Sequence, residues 1–231
     1  MKIGLIASPE KRKAWELKNL PDSTVSWMQD THEHRNFDVW IDLDFDQNIE
    51  RLLDYASNTQ TTFLLGCVFN TLESAFLQIS GYTNQQGEII KPSNWKGIGI
   101  NQLPTFVERQ TLEFTNPFRI ELSHLEPIFF KLGYPHWEQV NSRVGMVTPR
   151  VVCMIINEAY YTVQERTALP EDIDQAMKLG TNYPKGPFEW CKEIGIDNVY
   201  HLLDAMYLDT REERYKICSL LKQEWLNSQI K

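Results

Sequence analysis

Residues 143–195, RVGMVTPRVVCMIINEAYYTVQERTALPEDIDQAMKLGTNYPKGPFEWCKEIG, constrain this chain more tightly than any other stretch. Val152, Ile155, Ile156, Ala159 and Val163 recur near helical spacing, which predicts a long helix with a broad apolar face. Pro170 suits the first position of a second helix, with Glu171, Asp172 and Asp174 near its electropositive start. Gly180 then predicts its end, and Gly186-Pro187 the opening of a third helix. Such a run of helices, with no strand-like alternation, predicts an all-α region from about Ser142 onward.

Upstream the pattern changes. MKIGLIA, Val39–Phe45, Thr62–Phe69, Gly97–Asn101 and Thr111–Phe114 read as strands, and STVSWMQD holds a short further one. Pro9–Asn19, Gln47–Ala56, Leu72–Ile79 and Glu121–Leu132 read as helices between them. Alternation of this kind predicts a sheet with crossover helices. The fold class is therefore α/β plus all-α, with domains over residues 1–141 and 142–231. Residues 83–94, TNQQGEIIKPSN, read as an exposed loop.

The phrases NEA (157–159) and PEDIDQAMKLGTNYPKGPFE (170–189) resemble the C-terminal helical domain of 3-hydroxyacyl-CoA dehydrogenases. REERY at 211–215 resembles the "ERY" near the end of that domain, whereas the family's customary tail is replaced by residues 220–231. The resemblance implies an N-terminal Rossmann-like domain that binds NAD, and a helical domain that forms the dimer contact and covers the acyl side of a cleft. It further implies hydride transfer to nicotinamide, with a His moving the hydroxyl proton.

The N-terminal half departs from that pattern. A dinucleotide fingerprint needs glycines directly after the first strand, so that the backbone can approach a pyrophosphate. Here MKIGLIA runs into Ser8-Pro9-Glu10-Lys11-Arg12-Lys13, and no glycine lies between Gly4 and Gly66. Asp30 stands near the place of a ribose-binding acid, yet Asp38-Val39-Trp40-Ile41-Asp42 already resembles a later strand of the family. Residues 1–141 thus read as a truncated Rossmann-like domain without the glycine-rich loop, and Asp30 as a turn residue. Lys11, Arg12 and Lys13 read as a solvated first helical turn.

The family's proton relay is missing as well. Its His position maps to Ile100, with Asn101 beside it, and neither side chain titrates near neutrality. The Glu that orients that His maps to Leu112, or to Glu113 after a one-residue slip that would face the opposite side of the strand. Glu113 is expected to be solvated. The family's serine motif maps to Val68–Leu72, leaving Asn70 and Thr71, with Asn101, as substrate-cleft candidates. Either Asn70 or Thr71 could instead cap the helix beginning near Leu72. The family's asparagine maps to Pro149, which lacks a side-chain hydrogen bond and suits a helix start.

Other clusters have plain readings. Asp42, Asp44 and Asp46 alternate, so on a strand they share one face, where Mg²⁺ or Ca²⁺ is conceivable but a polar strand end is expected. Asp30, His32, Glu33 and His34 read as a surface loop without metal; His124, His136 and His201 read as structural. Tyr160, Tyr183, Phe188 and Trp190 read as core aromatics. A net charge of −8 argues against a nucleic-acid partner. Cys67, Cys153, Cys191 and Cys218 form no C-x-x-C pair and read as buried reduced thiols, as expected of a cytoplasmic protein. Apolar runs stay short of a membrane span, and the opening is too short for a signal peptide.

Together these readings predict a 3-hydroxyacyl-CoA dehydrogenase-like protein without catalytic residues or bound NAD, a pseudoenzyme of fatty acid metabolism. It is expected to bind an acyl-CoA-like ligand or a partner protein, as a homodimer. The alternatives are an active dehydrogenase with a rebuilt site, and a structural subunit paired with an intact dehydrogenase.

Overall fold

The computed structural model describes residues 1–18, 20–21, 24–79 and 94–230, so all of the predicted 83–94 loop except Asn94 lies outside the described residues. The chain divides into two compact units. One comprises Met1–Gln102 with Phe106–Met146, the other Leu103–Thr105 with Val147–Lys231.

The first unit is a doubly wound α/β sheet. Its strands are β1 (Ile3–Ile6), β2 (Ser26–Trp27), β3 (Val39–Asp42), β4 (Thr62–Gly66), β5 (Lys96–Ile100), β6 (Thr111–Thr115) and β7 (His136–Val140). Among the described residues they run in the order β2-β1-β3-β4-β5-β6-β7. Every pairing is parallel except β5 with β6, where Ile100 faces Phe114. Parallel strands need crossovers, and these cover both faces, so the strands are apolar almost throughout. Helices α1 (Pro9–Glu16) and α4 (Leu122–Lys131) pack Ala14, Trp15, Leu125, Ile128 and Phe129 against Ile3, Leu5, Ile41, Leu64, Ile98 and Ile100. On the opposite face α2 (Leu52–Tyr55) and α3 (Leu72–Gln78) bury Tyr55, Leu72 and Phe76 with Trp40, Phe63, Leu65 and Trp95.

Several expected elements come out shorter, among them α1, which ends at Glu16, and β4, which ends at Gly66 rather than Phe69. β3 stops at Asp42 rather than Phe45, because the Asp42 carboxylate accepts the Asp44 amide at 2.9 Å and turns the chain. The expected helix over 47–56 breaks into 3-10 turns at Phe45–Gln47 and Ile49–Arg51 before α2 begins. β7, HWEQV, went unread in the sequence. It is a largely exposed edge strand with no buried residue to mark it.

The second unit is helical: α5 (Thr148–Gln164), α6 (Pro170–Thr181), α7 (Pro187–Ile194), α8 (Ile196–Thr210) and α9 (Ser219–Ser228). α5 buries Val152, Cys153, Ile156, Ala159 and Tyr160, and α8 buries Val199, Leu202, Leu203 and Met206. α6 runs through Gly180 and stops at Asn182, whose φ of 56° gives the left-handed turn expected of the glycine. Asparagine tolerates that conformation better than most residues. No described helix is long and apolar enough to cross a membrane.

Candidate functional site

In open parallel sheets, ligands bind outside the carboxyl ends of the strands. In the first unit this edge is filled by the protein's own polar groups. Lys11, expected in solvent, is 4% exposed. Its ammonium donates to the Leu43 carbonyl at 2.5 Å and lies 3.3 Å from Asp44. The reason is its place on α1, on the same buried side as Ala14 and Trp15. Arg12 does stay exposed, paired with Glu16 and lying over Trp27. The turn after β1 is Ala7-Ser8-Pro9, and Ser8 makes no side-chain cap to α1. A proline in the turn, no glycine, and a lysine bonded across the end of β3 do not fit a dinucleotide pyrophosphate.

The three aspartates are not one strand face, since β3 ends at the first of them. Asp42 accepts both Arg51 (3.1 and 3.0 Å) and the Tyr55 hydroxyl (2.8 Å). Burial pushes its carboxyl up, opposed by the Arg51 charge and by these hydrogen bonds. Asp46 turns inward and accepts the amides of Val68, Phe69 and Asn70 at 2.5, 2.9 and 2.9 Å, and Gln102 Nε2 at 2.9 Å. No His, Cys, Asp or Glu group suited to a metal occurs among the described residues.

The positions to which the sequence reading maps the family's proton relay lie inside the fold. Ile100 is 1% exposed and Leu112 is 2% exposed, both in the core cluster under α1 and α4. Glu113 alternates to the other side of β6 and is buried, not solvated as expected, because that side is covered too. Thr71 caps α3: its hydroxyl accepts the Ser74 amide at 3.1 Å while the Ser74 hydroxyl accepts the Thr71 amide. Asn70 gives its backbone amide to Asp46 and its side-chain amide to the Asp46 carbonyl at 3.4 Å. Asn101 is buried, and its amide donates to the Glu113 carbonyl. Pro149 sits in the first turn of α5.

Sequence reasoning missed a buried histidine. Asp30 caps a 3-10 helix over Thr31–Asn36, as a turn residue would. His34 within it is fully buried rather than at the surface, edge-on to Tyr55 and Phe63. Asn58 Oδ1 accepts the Gln60 and Thr61 amides, which orients its Nδ2 as donor to His34 Nδ1 at 2.9 Å. His34 Nε2 must then carry the proton toward Asp54, 3.1 Å away. Asp54 also pairs with His32 and Arg35. Two histidines two residues apart could not reveal this without knowing that Asp54 and Asn58 approach them.

In the helical unit the signature phrases turn out to be joints between helices. Asp174 on α6 accepts the Phe188 and Glu189 amides at 2.8 and 3.2 Å, capping α7 from outside. Glu189 reaches back to the Gly186 amide and to Lys178. A Cβ on Gly186 would come 2.3 Å from the Asp174 carboxyl carbon, so only glycine fits that joint. Asn157 accepts the Cys218 amide and donates to the Lys216 carbonyl, at 2.9 and 2.8 Å. That latch holds the chain after the "ERY" turn, and α9 follows where the family tail was missing. Tyr160 and Trp190 are buried, and Phe188 and Tyr183 are half-buried against them.

Two features of this unit remain open. α6 buries no residue, and Leu169 and Leu179 beside and on it are 65% and 77% exposed. A shallow apolar groove of about 350 Å³ lies on α5, lined by Val151, Met154 and Ile155 with Arg150, Arg214 and Tyr215.

Residues 145–229 match the C-terminal domain of 3-hydroxyacyl-CoA dehydrogenase. The chain is 44% identical over 88 residues to 3-hydroxyadipyl-CoA dehydrogenase of Escherichia coli K12, covering 38% of this chain and 18% of that protein. A probable 3-hydroxybutyryl-CoA dehydrogenase of Deinococcus radiodurans is 28% identical over 166 residues, 60% of this chain and 58% of the relative. The matched portion therefore spans less than two thirds of these relatives. The crystal structure of (S)-3-hydroxybutyryl-CoA dehydrogenase from Ralstonia eutropha superposes with a TM-score of 0.72. That likeness covers 98% of this chain and 94% of the other at 15% identity, which speaks for the fold alone.

Proposed function

We propose that this chain, whose helical unit matches the C-terminal domain of 3-hydroxyacyl-CoA dehydrogenase, is a member of that family without redox activity. It binds an acyl-CoA-like ligand or a partner protein through that unit, as a cytoplasmic homodimer. The observation that carries this reading is the burial of Ile100 and Leu112 in the hydrophobic core. An aliphatic side chain neither takes nor gives a proton, and general acid–base catalysis alone accounts for about 10²–10⁴-fold in rate. Lys11 bonded across the end of β3 supports the same conclusion for the cofactor, since it takes the space where a pyrophosphate would approach.

The groove on α5 supports the ligand half of the proposal. Val151, Met154 and Ile155 supply an apolar floor for an acyl chain. The charged residues of the groove's lining are Glu158, Arg150, which donates to the Tyr215 hydroxyl, and Arg214, which pairs with Glu212. The exposed Leu169 and Leu179, at the start of α6 and on it, are the apolar surface to which the dimer contact is assigned. Four buried free thiols suit a reducing compartment.

Isothermal titration of the purified chain with NAD, NADH and acetoacetyl-CoA is the direct test. Heat from acetoacetyl-CoA and none from either nucleotide is the expected result. Micromolar NADH binding would overturn the reading in favour of a rebuilt active site, and copurification with an intact dehydrogenase would favour a structural subunit.

A further inference from the structure

The contact between Asp46 and the loop after β4 has the form of a filled ligand site. Three consecutive backbone amides, of Val68, Phe69 and Asn70, converge on one carboxylate with Gln102 Nε2 as a fourth donor. Consecutive amides arranged in this way form a concavity selective for anions. These amides precede Thr71, the residue that caps α3, so they are not the helix's own N-terminal donors. The site lies at the carboxyl end of β4, the edge of a parallel sheet where ligands ordinarily sit.

A second observation points the same way. Gln102 is fully buried and its Nε2 is aimed at Asp46, while its Oε1 has no hydrogen-bond partner among the described residues. A buried acceptor without a donor costs stability, so a side chain chosen only for packing would be apolar. Gln102 is held there for the donor end. Asp46 itself is 7% exposed and reaches the loop from a 3-10 turn 22 residues earlier in the chain. Its carboxylate therefore acts at this loop as an anion on a covalent tether.

We propose that the amides of Val68, Phe69 and Asn70 with Gln102 form an anion-binding pocket, and that Asp46 is its built-in occupant, closing the carboxyl end of β4 to small free carboxylates and phosphates. The inference does not depend on the acyl-ligand reading, because it concerns the sheet unit alone. It rests on what the pocket accepts, not on whether the protein is an enzyme.

Removing the tethered carboxylate tests it. Asp46→Gly empties the pocket, and its thermal transition is compared in formate, phosphate and chloride at equal ionic strength. The expected result is a transition lowered in chloride that recovers at least half of the loss in formate, saturably. Phosphate, being bulkier, restores less. Asp46→Asn keeps the pocket physically filled, so neither it nor the wild-type chain gains from formate over chloride. Equal responses of all three proteins, or no advantage of formate in Asp46→Gly, would overturn the proposal. Should Asp46→Gly not fold in any salt, amide proton shifts decide. The Val68, Phe69 and Asn70 protons lie downfield in the wild-type chain and move upfield together in Asp46→Asn if the carboxylate is the occupant. Unchanged shifts reject it.

Discussion

The sheet unit and the helical unit use their polar residues in opposite ways. At the carboxyl edge of the sheet, Lys11, Asp42, Arg51, Asp46 and the Gln102 side-chain nitrogen engage one another or nearby backbone. In the helical unit, Asp174, Glu189 and Asn157 join one helix to the next, while an apolar groove and the side chain of Leu179 stay open. The difference is consistent with a chain that matches a dehydrogenase C-terminal domain over residues 145–229 while Ile100 and Leu112, to which the sequence reading maps the proton relay, lie in the core. The matching phrases are helix joints, and joints specify a fold without specifying a reaction.

The hardest way to break this contrast is to put the missing imidazole back. Ile100→His places a polar ring in a cluster that offers aliphatic and aromatic neighbours. It should cost about 2–5 kcal/mol, from lost packing together with an unsatisfied ring nitrogen. Urea denaturation reads the loss, and a spectrophotometric assay with NADH and acetoacetyl-CoA should stay at background. A folded variant with measurable turnover would mean that β5 faces a working site after all.

The joints predict a smaller and localised effect. Asp174→Ala removes the acceptor for two amides at the start of α7 and should cost about 1–2 kcal/mol. The loss should appear in hydrogen exchange of α6 and α7 and leave the amides of β3 and β4 protected as before. Protection lost throughout both units would contradict the local role of the joint.

How much of this was legible beforehand follows from the same contrast. Helical periodicity exposed α5, whose burial is one-sided, and Pro170 and Gly186-Pro187 marked the starts of α6 and α7, although Gly180 did not mark the end of α6. β1 and β4 were legible as apolar runs, and the missing phosphate turn as an absence of glycine. β7 was not, since a largely exposed edge strand carries no burial pattern. Charged residues misled most. Lys11, Glu113 and His34 look like surface groups in a linear reading, and their burial depends on Leu43 and Asp44, on the covered face of β6, and on Asp54 with Asn58. Those partners come together only once the parallel sheet has formed.

The exposed Leu179 of α6 sharpens the contrast from the other side. Leu179 is 77% exposed, so Leu179→Glu should change the stability of the helical fold by no more than about 0.5 kcal/mol. In sedimentation velocity the same variant should convert a dimer to a monomer. An unchanged dimer would assign the contact to another surface, and a wild-type monomer would remove the dimer from the proposed function.

The smallest effect concerns His34, and it asks whether the inward-turned polar groups of the sheet unit respond to pH. Burial is the main cause that lowers the His34 pKa below the usual 6.5, outweighing the nearby Asp54 carboxylate. The folded chain therefore takes up the proton less readily than the unfolded chain. Stability from this residue is complete above about pH 6.5 and is lost as pH falls from there through the lowered folded value. Protonation would also turn Nδ1 into a donor facing the Asn58 amide, which already donates to it. His34→Gln can accept from Asn58 and donate to Asp54 without titrating in this range. Its urea midpoint should thus fall less than that of the wild-type chain between pH 7 and pH 5. His124, whose pKa is also lowered by burial, contributes equally to both proteins and cancels in the comparison. Parallel pH profiles would mean that His34 is held charged by Asp54, and that the carboxylate rather than the aromatic packing governs this corner of the sheet unit.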